Sequence, residues 1–150
     1  MKFLIQRVKE SSVKIDGEVV GSSGPGYMIL FGACNEDNEE IADKMIAKLV
    51  NLRIFADSEG KTNLSIMDVG GQMLIISQFT LYANCKKGNR PSFFHSGDPA
   101  HAKKLYDYVT GKIQNDYNIH VETGEFGADM EVSLVNDGPF TIMLDSDEIL

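Results

Sequence analysis

With 150 residues, 43% hydrophobic and 24% charged, the chain has the size and composition of one soluble globular domain, residues 1–150. Its formal net charge of −8 excludes a protein that grips nucleic acid by wholesale phosphate neutralisation, so any such contact must be local. There is no apolar run near the roughly 20 residues of a spanning helix and no secretory signal in "MKFLIQRVKE", so the expected location is the cytoplasm.

"FLIQRV" and "SVKIDGEVVGS" read as strands, the second a hairpin turning at Asp16-Gly17. "GSSGPG" is a Gly-rich loop before the buried strand "YMILFGA". A first helix follows, with Asp37 as cap, Glu40 as its capping-box partner, and Ile41, Met45, Leu49 and Leu52 on one face. "LRIFADSEGK" turns at Ser58 to Gly60, and "QMLIISQFTLYA" reads as a long apolar strand interrupted by Ser77, Gln78 and Thr80.

The second helix opens with Asp98 as cap and Pro99 at its first position. Ala102, Leu105, Val109 and Ile113 make its inner face. "IHVETGEF", "DMEVSLV" and "FTIML" read as strands. Many strands with two main helices predict an α+β domain built on a strongly curved, partly closed, barrel-like β-sheet. "IISQFTL" and "SLVNDGPFTIML" are both apolar and β-rich, which leaves surface for a second copy to cover.

Four places carry chemistry-bearing residues. Ser77, Gln78 and Thr80 in an apolar strand either pair with neighbouring backbone or make the polar end of an apolar pocket. Ser77 and Thr80 point to opposite faces of an ideal strand, so both reach one site only if the strand bends or ends there. A hydroxyl nucleophile needs a base in reach. His95, His101 and His120 have no triad-like context, and His95 and His101 lack metal-ligand spacing, so no metal is expected.

"KKGNRPSF" places Lys86, Lys87 and Arg90 beside Phe93 and Phe94, the densest basic run in an acidic chain. It is either a solvated loop or a surface for phosphate and a stacked base. Asn136-Asp137-Gly138-Pro139 interrupts two apolar strand segments. It is either an ordinary turn with a trans Gly-Pro bond or a unit that offers bare carbonyl oxygens to a ligand. Cys34 and Cys85 are expected as reduced thiols, and the Asn63-Leu64-Ser65 sequon carries no meaning without a secretory signal.

"SQFTLYA" together with "NDGPFT" resembles the two signature motifs of the D-aminoacyl-tRNA deacylase (D-Tyr-tRNA deacylase) family. "IQRV", "GEVVG", "LRIF", "NLSIMDVGG", "KKGNRPSF" and "ETGEFGADM" extend that similarity over essentially the whole chain. The resemblance implies a homodimer with active sites at the interface, no cofactor, and hydrolysis of the ester of D-aminoacyl-tRNA. It implies that Ser77, Gln78, Phe79 and Thr80 surround the ester and terminal adenosine. Gly138-Pro139 would be cis and enter the partner's pocket, where its carbonyls exclude an L side chain, with Arg7 holding its orientation.

A steric wall that rejects L leaves the D side chain free. Glycyl-tRNA, including glycine mischarged on alanine tRNA, is then also an expected substrate. Attack is expected to use the ribose 2′-hydroxyl and an aligned water rather than Thr80. The alternatives are a conventional esterase with Thr80 or Ser77 as nucleophile, a non-catalytic nucleic-acid-binding dimer using "KKGNR", and a relative with a trans Gly-Pro bond and relaxed chirality.

Overall fold

The first hairpin follows its turn chemistry. In the computed structural model, which describes residues 1–150, β1 (Lys2–Ile15) turns at Asp16 and Gly17, with φ of 50° and 83°, into β2 (Glu18–Ser23). Two positive φ values make the primed turn whose twist suits a tight hairpin. "FLIQRV" and "SVKI" therefore belong to one strand, not two.

The sheet is built outward from β1. One edge of β1 pairs antiparallel with β3 (Gly26–Gly32) and then β2, and the other edge pairs with β8 (Glu131–Asp145). β3 runs parallel to β6 (Gln72–Ser77), and β6 parallel to β7 (Val121–Thr123). Parallel neighbours need crossovers. These contain α1 (Glu39–Val50) and α2 (Pro99–Tyr117), the first also holding the small pair β4 (Phe55–Ala56) and β5 (Thr62–Leu64).

The central parallel strands are apolar, β3 along its length and β6 from Met73 to Ile76, because both faces are covered there. Tyr27, Ile29 and Phe31 of β3, with Met73 and Ile75 of β6, join the helices in the main core; Met28, Leu74 and Ile76 point the other way into a smaller cluster. β1 contributes Phe3 and Ile5 to the first and Val8 and Val13 to the second. Val13 would share a face with Phe3 and Ile5 in a regular strand. The irregularity between Val8 and Glu10 shifts it to the face of Val8.

β2 curls round towards β7 and nearly closes the barrel. Ser22 N donates to Glu122 Oε1 at 3.1 Å. At Gly21, an added Cβ would lie 2.5 Å from the carbonyl oxygen of Thr123, so the seam closes only over glycine. The α+β, barrel-like architecture is as the sequence predicts.

Several local expectations are corrected. Asn38, not Asp37, caps α1, accepting from Ile41 N. Asp37 is buried instead, where it accepts from the Met1 ammonium and from Cys34 N. Burial on α1 falls on Ala42, Met45, Ile46, Leu49 and Val50, with Ile41 and Leu52 at the margin of the core, and each large side chain contributes about 1.5–3 kcal/mol.

The strand read through "QMLIISQFTLYA" stops at Ser77 and becomes a 3-10 turn at Phe79–Tyr82. "IHVETGEF" shrinks to the short β7. "DMEVSLV" and "FTIML" merge into one long β8 that runs through Asn136–Pro139, and a short α3 (Ser146–Ile149), unpredicted, follows it. The second helix keeps its Asp98 cap and Pro99 start, and Leu105, Val109 and Ile113 are buried as expected. Tyr106 adds a bond from its hydroxyl to Ile75 O at 2.6 Å.

Candidate active site

Ser77 is the last residue of β6 in register with β3, opposite Phe31. Gln78 N then donates to Phe31 O at 2.7 Å, and the chain tightens into the 3-10 turn, closed by Leu81 N to Gln78 O at 3.2 Å. The polar residues are thus released where parallel strands end. That is where open α/β sheets characteristically bind ligands, since backbone groups there lose their ladder partners.

A cavity of about 360 Å³ opens at this point. Its floor is Phe31 to Ala33 with Ile76 to Phe79, and its facing wall is Phe126 to Met130, with Gly97 and Ala102 at one side. The lining is largely apolar with a few polar groups, as expected for a pocket that orients one small moiety. Phe79 is 57% exposed and meets Phe93 edge to face at 5.0 Å. Ser96 Oγ donates to Phe79 O at 2.9 Å and steadies the turn.

Ser77 and Gln78 are half-buried and Thr80 is exposed, so none of the three is shut inside the core. Thr80 does not line the cavity; its hydroxyl accepts from Gln78 Nε2. The histidines are engaged elsewhere. His101 Nε2 bonds Asp37 O at 2.9 Å, His120 bonds Glu122 at 2.8 Å, and His95 lies against the Phe94 ring. No histidine is hydrogen-bonded to Thr80.

On the other side of the 3-10 turn lies a larger hollow of about 820 Å³ that includes Cys34, Tyr82, Cys85, Lys86 and Phe94. Burial pushes the Cys34 thiol up, and the Tyr82 phenol is raised well beyond its usual range by burial and by Asp37. Both stay protonated. Lys86, Lys87 and Arg90 sit on an exposed loop pinched by the Asn84–Ser92 bridge. Residues 69 to 97 contain no Asp or Glu, so this loop is locally basic in an acidic chain.

Gly138 and Pro139 lie apart from the cavity and are exposed, and the bond between them is cis. Arg7 stands behind them. Its Nε donates to Asp137 O at 2.8 Å, its Nη1 to Ile54 O at 2.5 Å, and its guanidinium lies 4.5 Å from the centre of the Phe140 ring. Arg7 and Gly138-Pro139 are thus brought together, as are Ser77, Gln78 and Phe79, but within one chain the two groups form no single site. The wall at Phe126–Met130 carries no role predicted from the sequence. No local signal marks it: the strand before it is the short, largely polar Val121–Thr123, and only Gly127, with φ 82°, marks a turn.

The sequence profile of the family described as D-Tyr-tRNA(Tyr) deacylase matches residues 4–145. A D-aminoacyl-tRNA deacylase of Thermosipho melanesiensis is 48% identical over 149 residues, 99% of each chain. One of Lactobacillus acidophilus is 53% identical over 145 residues, 97% of this chain and 99% of the relative. Among solved structures, a c-Myc DNA unwinding element binding protein is similar with TM-score 0.92 and 37% identity over 97% of this chain and 98% of its own. A probable eukaryotic D-amino acid tRNA deacylase shares the fold, with TM-score 0.81 and 17% identity over 95% and 97%.

Proposed function

The chain belongs to the D-Tyr-tRNA deacylase family and is a hydrolase of the D-aminoacyl-tRNA deacylase type, and from that premise we propose that it is a chiral proofreader working as a homodimer. The terminal adenosine of the tRNA occupies the cavity at the end of β6, with the ester over Ser77, Gln78, Phe79 and Thr80. Gly138 and Pro139 of a second copy enter that cavity and present carbonyl oxygens to the α-amino group. An L side chain meets that backbone; a D side chain points away, and glycine has nothing to reject. Glycyl-tRNA, including glycine mischarged on alanine tRNA, is accepted for that reason.

The observation that carries this reading is the separation itself. A cavity rimmed by Ser77–Phe79 and an exposed Gly138-Pro139 projection occur on one chain without meeting. A second copy supplies the missing half. β8, which carries the projection, pairs on one edge only and exposes Val135 and Met143, a surface that an isologous partner would cover.

Water attacks the ester carbonyl, the bond to the ribose oxygen breaks, and the D-amino acid leaves as free tRNA regains its hydroxyl. Holding an activated ester against an aligned water and the ribose 2′-hydroxyl supplies much of the barrier reduction. No histidine is bonded to Thr80, which disfavours Thr80 as nucleophile. The protein's own groups suffice in this reading, without a cofactor. Lys86, Lys87 and Arg90 meet the backbone near the acceptor end. The reaction belongs in the cytoplasm with the tRNA pool, and no helix is long and apolar enough to cross a membrane.

The test is deacylation of D-Tyr-tRNA and L-Tyr-tRNA side by side, with sedimentation of the same sample. Rapid loss of the D ester only, from a dimer, is the expected result. Equal cleavage of both would replace the filter with an ordinary esterase. A second reading, nucleic-acid binding without cleavage, draws on the structural relative named for binding a DNA unwinding element; no cleavage of either ester would favour it.

A further inference from the structure

The ladder between β1 and β8 breaks beside the Gly-Pro unit. From the pair Gln6–Thr141 to the pair Val8–Asn136, β1 advances two residues (6 to 8) while β8 covers five (141 to 136). The surplus falls in Asp137–Phe140, where backbone groups lose β1 as a partner. A side chain replaces it. Asn136 Oδ1 accepts from Phe140 N at 2.7 Å, and Asn136 Nδ2 donates to Phe140 O at 3.1 Å and to Gln6 Oε1 at 2.9 Å.

The amide of Asn136 thus grips one residue by both its N–H and its C=O, as a neighbouring strand would, and ties the grip to β1 through Gln6. Only a side chain with an acceptor on one arm and donors on the other can do this, which an aspartate cannot match. Gly138 and Pro139 are bracketed by the two ends of this clamp, residues 136 and 140. The span is tight: a Cβ on Gly138 would stand 2.6 Å from Phe140 N. Arg7 holds the adjoining Asp137 carbonyl from β1, but the closure of the loop itself belongs to Asn136.

We infer that Asn136 is a positioning residue for stereochemical selection: its side-chain clamp on Phe140, braced by Gln6, fixes the direction in which the Gly138 and Pro139 carbonyls project. The inference rests on the reading of Gly138-Pro139 as the chiral filter. A backbone wall discriminates only if it stands still, because a shift on the order of 1 Å changes which substituent it meets. The clamp touches no substrate and acts only through the loop.

Three full-length variants test it: Asn136→Ala, Asn136→Asp and Gln6→Ala, each in single-turnover deacylation of D-Tyr-tRNA and L-Tyr-tRNA. Maximal rate is separated from the half-saturating enzyme concentration, and thermal melts accompany each. Asn136→Ala is expected to lower the D-over-L rate ratio by about tenfold or more, through maximal rate with half-saturation little changed. Asn136→Asp keeps the acceptor for Phe140 N and should recover part of the ratio; Gln6→Ala should fall in the same direction by less.

An Asn136→Ala protein with the parent's ratio overturns the inference. If that variant does not fold, Asn136→Asp and Gln6→Ala decide, and a parental ratio in both overturns it equally. A parent that itself shows no D preference removes the filter reading, and with it this inference, and is told apart because it needs no variant.

Discussion

Arg7 on β1 donates through Nε to the carbonyl oxygen of Asp137 at 2.8 Å, joining residues 130 positions apart next to the Gly-Pro projection. The same guanidinium spans to Ile54 O and covers the Phe140 ring. The guanidinium reaches the two carbonyls from separate nitrogens, Nε and Nη1, while its plane faces a ring; the donors of an ammonium all sit on one nitrogen and do not reproduce that spread. Arg7→Lys is therefore expected to behave as a loss. Removing these bonds should cost about 2–3 kcal/mol, seen as a melting temperature lower by roughly 5–10 °C. D-Tyr-tRNA deacylation should fall further than that stability loss explains, because the projection loses one of its two supports. Parental activity in a less stable Arg7→Lys protein would reduce Arg7 to a structural role.

Gly138 offers a sharper perturbation. Its φ of 157° lies at the edge of the region open to L side chains, and an added Cβ would meet Phe140 N at 2.6 Å and Phe140 Cβ at 3.0 Å. Gly138→Ala must displace the projection while leaving the cores untouched. Sedimentation should show an unchanged oligomer, with a melt lowered by a backbone strain of about 1–3 kcal/mol, because the added Cβ meets backbone at a φ that L residues rarely adopt. D-substrate turnover should drop by about a hundredfold, the usual effect of misplacing a positioning element by about 1 Å. Normal turnover by that variant would rule out the filter.

Much of this was legible in the sequence, and the failures share a cause. Alternation and caps located the Asp16-Gly17 hairpin, β3 and α2, because local chemistry and burial agree there. Asp37 fooled the helix rule: it has a capping side chain, but a buried ammonium and the Cys34 N–H claim it, leaving Asn38 to cap. "SQFTLYA" fooled the strand rule because its apolar run continues past the point where β6 loses β3 as a partner. Asn136–Pro139 reads locally as a turn, yet β8 passes through it, since β1 pairs on both sides of the interruption. In each case a long-range partner decided. For the site, the motifs pointed to Ser77, Gln78, Phe79 and Thr80 and to Arg7 with Gly138-Pro139; Thr80 falls outside the cavity lining, and neither the wall at Phe126–Met130 nor the Asn136 clamp could be read from local pattern.

The basic loop predicts a separable contribution to binding. Lys86, Lys87 and Arg90 are exposed in a stretch without acidic residues, and none of them lines the smaller cavity. Replacing all three with alanine should weaken binding of uncharged tRNA and flatten its salt dependence, by a slope of roughly 1 for each phosphate no longer neutralised. The D-over-L ratio should stay at the parental value, because none of the three residues lines the cavity or touches Gly138-Pro139. An unchanged salt slope would show that the loop is simply solvated.

Thr80 separates the two catalytic schemes. Its hydroxyl is exposed, bonded to the Gln78 amide, and outside the cavity lining. A covalent nucleophile requires a base to take its proton, and no histidine is bonded to Thr80: His101 bonds Asp37 O, His120 bonds Glu122, and His95 packs edge to face with Phe94. Loss of an essential serine nucleophile costs about a millionfold in a protease, so the magnitude decides. Thr80→Ala should retain D-Tyr-tRNA deacylation within about tenfold of the parent, the range left to a group that only orients its neighbours. Rapid-quench sampling of the parent should find no acyl-enzyme. If activity vanishes in Thr80→Ala and an acyl adduct is trapped on the parent, the hydroxyl is the nucleophile and the water-attack scheme fails. If activity survives, what remains to promote attack is alignment by the strand end and the substrate's own 2′-hydroxyl, which a terminal 2′-deoxyadenosine substrate would then expose as the larger loss.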